Sequence, residues 1–146
     1  MKYAPIMAAA LLLAACETIP TAAPPPEAGA RFEGDLDLGG WRNADEAATL
    51  STFQQNVTDR YGAGIAISDA AADLRRTEFN CADAPPQDQG RGDPPAQVCR
   101  RTITFSGCTH TWQVHLFDQD GDEQLVRTRG LYDRRCGNEG LLGGPG

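Results

Sequence analysis

Lysine is almost missing from this chain: Lys2 is the only one. Basic charge therefore rests on arginine, and 13 Lys+Arg stand against 20 Asp+Glu, a formal net charge of −7. That balance, with the arginines scattered, excludes the electrostatic footprint of a nucleic-acid binder and leaves no polybasic run for anionic lipid. Histidine is scarce as well, with only His110 and His115. Five residues apart on one strand, they point to opposite faces and cannot share a ligand there. No G-x-S-x-G turn presents a nucleophile, and no Gly-rich loop joins a strand to a helix for a nucleotide. Acid pairs such as Asp35 and Asp37 read as solvated loop charges. The chain is thus expected to be no enzyme, to carry no cofactor and to have no nucleic-acid partner.

What is present begins at the N-terminus. Met1-Lys2 is a short positive start, and residues 3–15 form an apolar, Ala- and Leu-rich stretch. It is too short for a membrane-spanning helix, which needs about 20 residues, and suits the apolar core of a signal peptide. It ends Leu13-Ala14-Ala15-Cys16. Small residues before a cut let extended backbone enter a narrow peptidase groove, and the cysteine supplies the thiol that receives lipid. This resembles the lipobox of bacterial lipoproteins at all four positions. The resemblance implies cleavage of residues 1–15, acylation of Cys16 and a membrane as a partner through that lipid. More than one acyl chain is needed for stable anchoring. Glu17, rather than Asp, follows the cysteine and implies the outer membrane, with the domain in the periplasm.

Residues 16–30 hold the lipidated Cys16 and then ETIPTAAPPPEAGA, a Pro- and Ala-rich spacer. Such a segment lies near polyproline II, at about 3.1 Å per residue. The folded domain is expected over 31–137. Asp45 to Tyr61 carries Ala47, Leu50, Phe53 or Gln54, Val57 and Tyr61 at steps of three and four, the apolar face of a helix. Asn43 is its expected N-cap, and Gly62 and Gly64 stop it. Ser68 caps a second helix with Ala71, Ala72, Leu74 and Phe79 on its apolar side, ending near Cys81, and Ile67 before the cap packs on Ala72. Residues 82–96 are a Pro-rich polar stretch read as a mobile loop. The period then changes to two: 98–105, 109–117 and 123–133 read as strands, and 138–146 as a disordered tail. The fold class is α+β, two helices packed on a three-stranded antiparallel sheet in the order ααβββ.

Five cysteines make an odd count. Assigning Cys16 to lipid leaves four, in a compartment that permits disulfides. Cys81 closes the second helix and Cys99 opens the first strand, so a bridge between them staples the long loop. Cys108 and Cys136 flank the last hairpin. A turn centred near Asp120 places residue 132 opposite Cys108, so this bridge needs a bulge or an irregular strand end. The expected bridges are Cys81–Cys99 and Cys108–Cys136, out of three pairings. The competing reading is a metal site of Cys99, Cys108, His110 and Cys136, but structural zinc usually uses a C-x2-C pair and none is present. Asp118, Asp120 and Asp122 resemble the start of a calcium loop, although Glu123 and Arg129 stand where glycine and glutamate are required. Asp-Gly between strands is also an ordinary turn.

The run Gly64-Ile65-Ala66-Ile67-Ser68, then Phe79-Asn80-Cys81, then three strands with Cys99, Cys108, Trp112 and Cys136, resembles small BamE-like (SmpA/OmlA) outer-membrane lipoproteins. It is most similar to their cysteine-bearing relatives of unknown function. The resemblance implies two helices on a three-stranded sheet. Its best characterised members are accessory subunits of the machine that inserts β-barrels into the outer membrane. The expected function is a non-enzymatic periplasmic interaction or structural module, with an envelope protein as partner. The alternative is a small-molecule-binding or inhibitor-type domain, which calls for an apolar cavity lined by Trp112 and Tyr132. A small hydrolase is the remote alternative, requiring His110 or His115 beside a nucleophile.

Overall fold

The structure, a computed structural model, describes residues 32–84, 93–118 and 121–137. The expected leader 1–15, Cys16 and its spacer to residue 30, residues 85–92 of the long loop, Asp120 and the tail 138–146 lie outside the described residues.

Helix α1 (Glu46–Arg60) starts where the Asp45 carboxylate accepts the Ala48 amide at 2.7 Å. Asp45 is thus the N-cap, not Asn43, whose own amide closes a turn on Gly40. Glu46 in the first turn and Arg60 in the last oppose the helix dipole. The buried stripe is Thr49, Phe53, Val57 and Tyr61, while Ala47 is exposed and Leu50 half-buried. The stripe is rotated from expectation because the incoming segment packs on α1 backbone. A Cβ on Gly39 would lie 2.5 Å from the Thr49 carbonyl oxygen.

Helix α2 (Ile67–Arg76) starts one residue before Ser68 and has no side-chain cap; its N-cap is Ala66. Ile67, Ala70, Ala71, Asp73 and Leu74 are buried and Ala72 is exposed, so Ile67 does not staple to Ala72. The helix stops five residues short of Cys81. The amides of Glu78 and Phe79 turn back to the carbonyls of Arg75 and Leu74, and Glu78 takes φ 68°. This is the left-handed helix stop that glycine usually supplies. Burial of Leu74 and Phe79 completes it.

The sheet has four strands, not three, in the order β1-β2-β3-β4, all antiparallel: β1 (Asn80–Asp83), β2 (Gln97–Phe105), β3 (Cys108–Phe117) and β4 (Arg127–Cys136). The added strand, β1, contains no β-branched or aromatic residue, and Asn, Asp and Ala are depleted in strands. Pairing with β2 imposes its extended form. The pairing continues past β1 through the amide of Ala84, which donates to Ala96. The expected loop therefore begins later than residue 82. Ser106 and Gly107, with φ 52° and 78°, form the two-residue turn of the β2–β3 hairpin. Positive φ at both positions matches the right-handed twist of the strands.

The β3–β4 connection is longer than the sequence implies. Gln124 bridges to Ala66, and Leu125 exchanges backbone hydrogen bonds with Gly64 and Ile65. Residues 123–125 are thus tied to the segment leading into α2 and do not extend the hairpin, which resumes where the Val126 amide donates to Phe117. The last strand shifts to 127–136, and Cys108 faces Cys136 directly without a bulge. Both helices cover one face of the sheet. His110, Trp112, Val114 and Leu116 of β3 point into that layer, and α1 crosses β4 at Gly130.

Candidate functional site

The two bridges present are Cys81–Cys99 and Cys108–Cys136, each joining residues directly opposite on neighbouring strands. Their thiols are consumed, so the alternative Cys99, Cys108, His110 and Cys136 metal set has no thiolates to offer. Among the described residues no group of three or more His, Cys, Asp or Glu converges on an ion position. Asp118 accepts the amides of Gly121 and Glu123, and Asp122 accepts that of Gln124. These carboxylates brace the turn, as short acidic side chains do in loops.

The two histidines lie on opposite faces. His110 is buried with Trp41, Trp112 and Tyr132, and its Nδ1 lies 2.7 Å from the Tyr132 hydroxyl. Burial, then Arg134, holds it below the ordinary histidine range. Trp112 is fully buried, edge-on to Trp41, and donates from Nε1 to the Leu38 carbonyl at 3.1 Å. Its ring and that of Tyr132 are 5.1 Å apart. Side chains fill the space where the small-molecule-binding alternative calls for a cavity lined by Trp112 and Tyr132, so these rings build core.

A buried carboxylate escapes sequence reading. Asp73 has no exposed side-chain surface and accepts from Arg60, Tyr61 and Arg76. The same guanidiniums reach the carbonyls of Glu33 and Gly34, which fastens the start of the domain to both helices. Burial pushes the Asp73 carboxyl up, but the hydrogen bonds from Arg60, Tyr61 and Arg76 outweigh it and hold it below the ordinary range. Tyr61 is driven well above the tyrosine range, first by burial and then by Asp73. The tie is structural: every partner is fixed by another.

The chemically open surface is the other side of the sheet. Val98 and Arg100 of β2, Gln113 and His115 of β3 and Arg129 of β4 share this face through the strand registers Val98↔His115↔Arg129 and Arg100↔Gln113. No described element covers it. His115 is half-buried between Arg100 and Arg129; burial, then those two cations, hold it below the ordinary range. Its Nε2 lies 3.4 Å from Gln113 Oε1. A groove of about 720 Å³ crosses β1, β2 and β3 here, floored by Ala82 and Val98. Glu78, which is paired with Arg101, and Asp83 stand at its rim. The arginines are dispersed in sequence, so only the period-two alternation of 98–105 and 109–117 hinted that they share a face. No protein-family model, curated protein or solved structure matches the chain.

Proposed function

We propose that this chain is a lipid-anchored, non-enzymatic interaction module of the bacterial outer membrane, working on the periplasmic side. The observation that carries the reading is Leu13-Ala14-Ala15-Cys16 followed by a Pro-rich spacer. Within that frame Cys16 holds the lipid, the spacer sets the domain off the bilayer, and the domain presents one open sheet face. Two disulfides suit an oxidising compartment. The described helices include none long and apolar enough to cross a membrane. The BamE-like resemblance extends the reading to envelope assembly, with two helices on an antiparallel sheet as the shared element. Intact mass of the membrane-extracted protein tests the anchor. The expected mass lacks residues 1–15, carries acyl chains on Cys16 and is four hydrogens below the reduced mass of the four remaining cysteines. Affinity purification with crosslinking tests the module, and recovery of the protein alone would falsify it.

The groove over β1, β2 and β3 favours a second reading, a small-ligand-binding domain. It requires the open sheet face, since the Trp112 and Tyr132 side is filled. Thermal stabilisation by a low-molecular-mass envelope extract, absent from a variant altered at His115, distinguishes it.

A further inference from the structure

We propose that the open sheet face around Arg100, His115 and Arg129 docks an extended acidic segment of a protein partner. The inference rests on the interaction-module reading and names the surface and the chemistry of its partner.

Three observations converge. The first is charge. The chain as a whole is −7, yet β2, β3 and β4 turn Arg100, Arg127, Arg129 and Arg135 to this face with Asp133 as their one acid. Arg135 takes that acid at 3.0 Å, and Arg127 lies over the Phe117 ring at 3.5 Å. Arg100 and Arg129 form no ion pair with any described residue, although carboxylates outnumber cations in the chain. Arg100 on β2 and Arg129 on β4 stand on either side of β3 on one face; unpaired like charges on one surface repel, and a complementary anion removes that cost.

The second observation is the geometry of the donors. Register places His115 directly opposite Arg129, and Arg100 opposite the neighbouring Gln113. Two guanidiniums, an imidazole and a carboxamide therefore flank one spot. Guanidinium forks match carboxylates in shape as well as charge.

The third is the shape of the surface. The groove is concave, with Ala82 and Val98 beside Arg100 and His115 and with Glu78 and Asp83 at its rim; Arg129 stands next to it, opposite His115 on β4. An anionic bilayer is broad and uniformly charged, so it would meet the acidic rim together with the cations. An extended peptide presents every second side chain to the face, so acidic residues at alternate positions set their carboxylates over Arg100 and Arg129 and clear of the acidic rim.

The test uses the full chain and a fluorescein-labelled peptide of alternating glutamate and valine, with a glutamine-valine peptide as control. Anisotropy should show the glutamate peptide binding and the control failing. Affinity should fall about tenfold or more in R100E/R129E, since like-charge juxtaposition opposes docking, and it should fall with added salt. R75E, an exposed arginine on α2, should bind as wild type does. Equal binding by R100E/R129E, or none by wild type, overturns the proposal. So does binding of phosphatidylglycerol vesicles, but not the peptide, through Arg100 and Arg129, because the face would then serve a membrane. R100Q/R129Q, with thermal unfolding as a folding check, repeats the test should charge reversal disturb the sheet. Crosslinking in the envelope separates the two levels. A partner retained by R100E/R129E overturns this site and spares the module; no partner even with wild type removes both.

Discussion

Replacing Asp73 with asparagine tests whether the buried carboxylate holds the helices and the incoming segment together. Its two oxygens accept five hydrogen bonds: two from Arg60, one from Tyr61 and two from Arg76. Asparagine keeps the volume but loses the charge and presents an amide to cationic donors. The Arg60 side chain, only 15% exposed, has little access to water after that loss, whereas the Arg76 side chain is 45% exposed and can rehydrate. Breaking a buried pair costs about 3–5 kcal/mol, and a half-exposed one about 0–1. The expected loss is about 3 kcal/mol, a large share of the roughly 5–15 kcal/mol typical of a domain. Urea unfolding at neutral pH with the disulfides intact measures it, with the slope unchanged. The pH dependence has a definite sign. Burial raises the Asp73 carboxyl and the three donors lower it further, so its folded pKa lies below the unfolded value. The advantage of wild type over D73N is therefore complete above about pH 4–5, given an unfolded Asp near 3.9, and shrinks as pH falls through the folded pKa. A loss under about 1 kcal/mol, or a gap that does not narrow in acid, refutes the reasoning.

Other consequences are sharp enough to measure. The Thr49 hydroxyl is buried without a hydrogen-bond partner, so T49V should stabilise by about 1 kcal/mol in thermal or urea unfolding; destabilisation would mean that the hydroxyl is satisfied. A Cβ on Gly130 would sit 3.1 Å from the Phe53 ring and 3.2 Å from the Gln54 Cα, so G130A should cost about 1–3 kcal/mol as α1 is lifted off β4. The bridge Cys81–Cys99 closes a separation of 18 residues and Cys108–Cys136 one of 28. Serine pairs in their place should each lose about 3 kcal/mol, the longer loop slightly more, and equilibrium unfolding gives the order. Y61F removes one hydrogen bond to the buried charge and should cost about 1.5–3 kcal/mol, less than D73N.

Local rules read the helices unevenly. The apolar period located α1, but its buried face depended on where Gly39 meets the Thr49 carbonyl, a contact between segments that no window sees. Periodicity overruns the end of α2 because Glu78, not glycine, takes the left-handed position; burial of Leu74 and Phe79 and the ion pair with Arg101 hold it there. β1 is invisible to local rules for the reverse reason: its residues have no strand preference, and pairing with β2 makes the strand. Asp73 reads as any exposed helix acid with Arg76 one turn on, since its other donors, Arg60 and Tyr61, come from the end of α1 and meet it only after folding.

By itself, the sequence determined what depends on neighbours along the chain: two helices followed by alternating strands, and the α+β class. Only the tertiary structure decided what depends on register. Tying residues 123–125 back to the segment leading into α2 set the β3–β4 pairing at Phe117↔Arg127. That pairing brings Cys136 opposite Cys108 and Arg129 opposite His115. A slip of one residue would turn every β4 side chain to the other face. The basic face of this acidic protein is therefore a product of register, set by a loop contact that sequence periodicity does not contain.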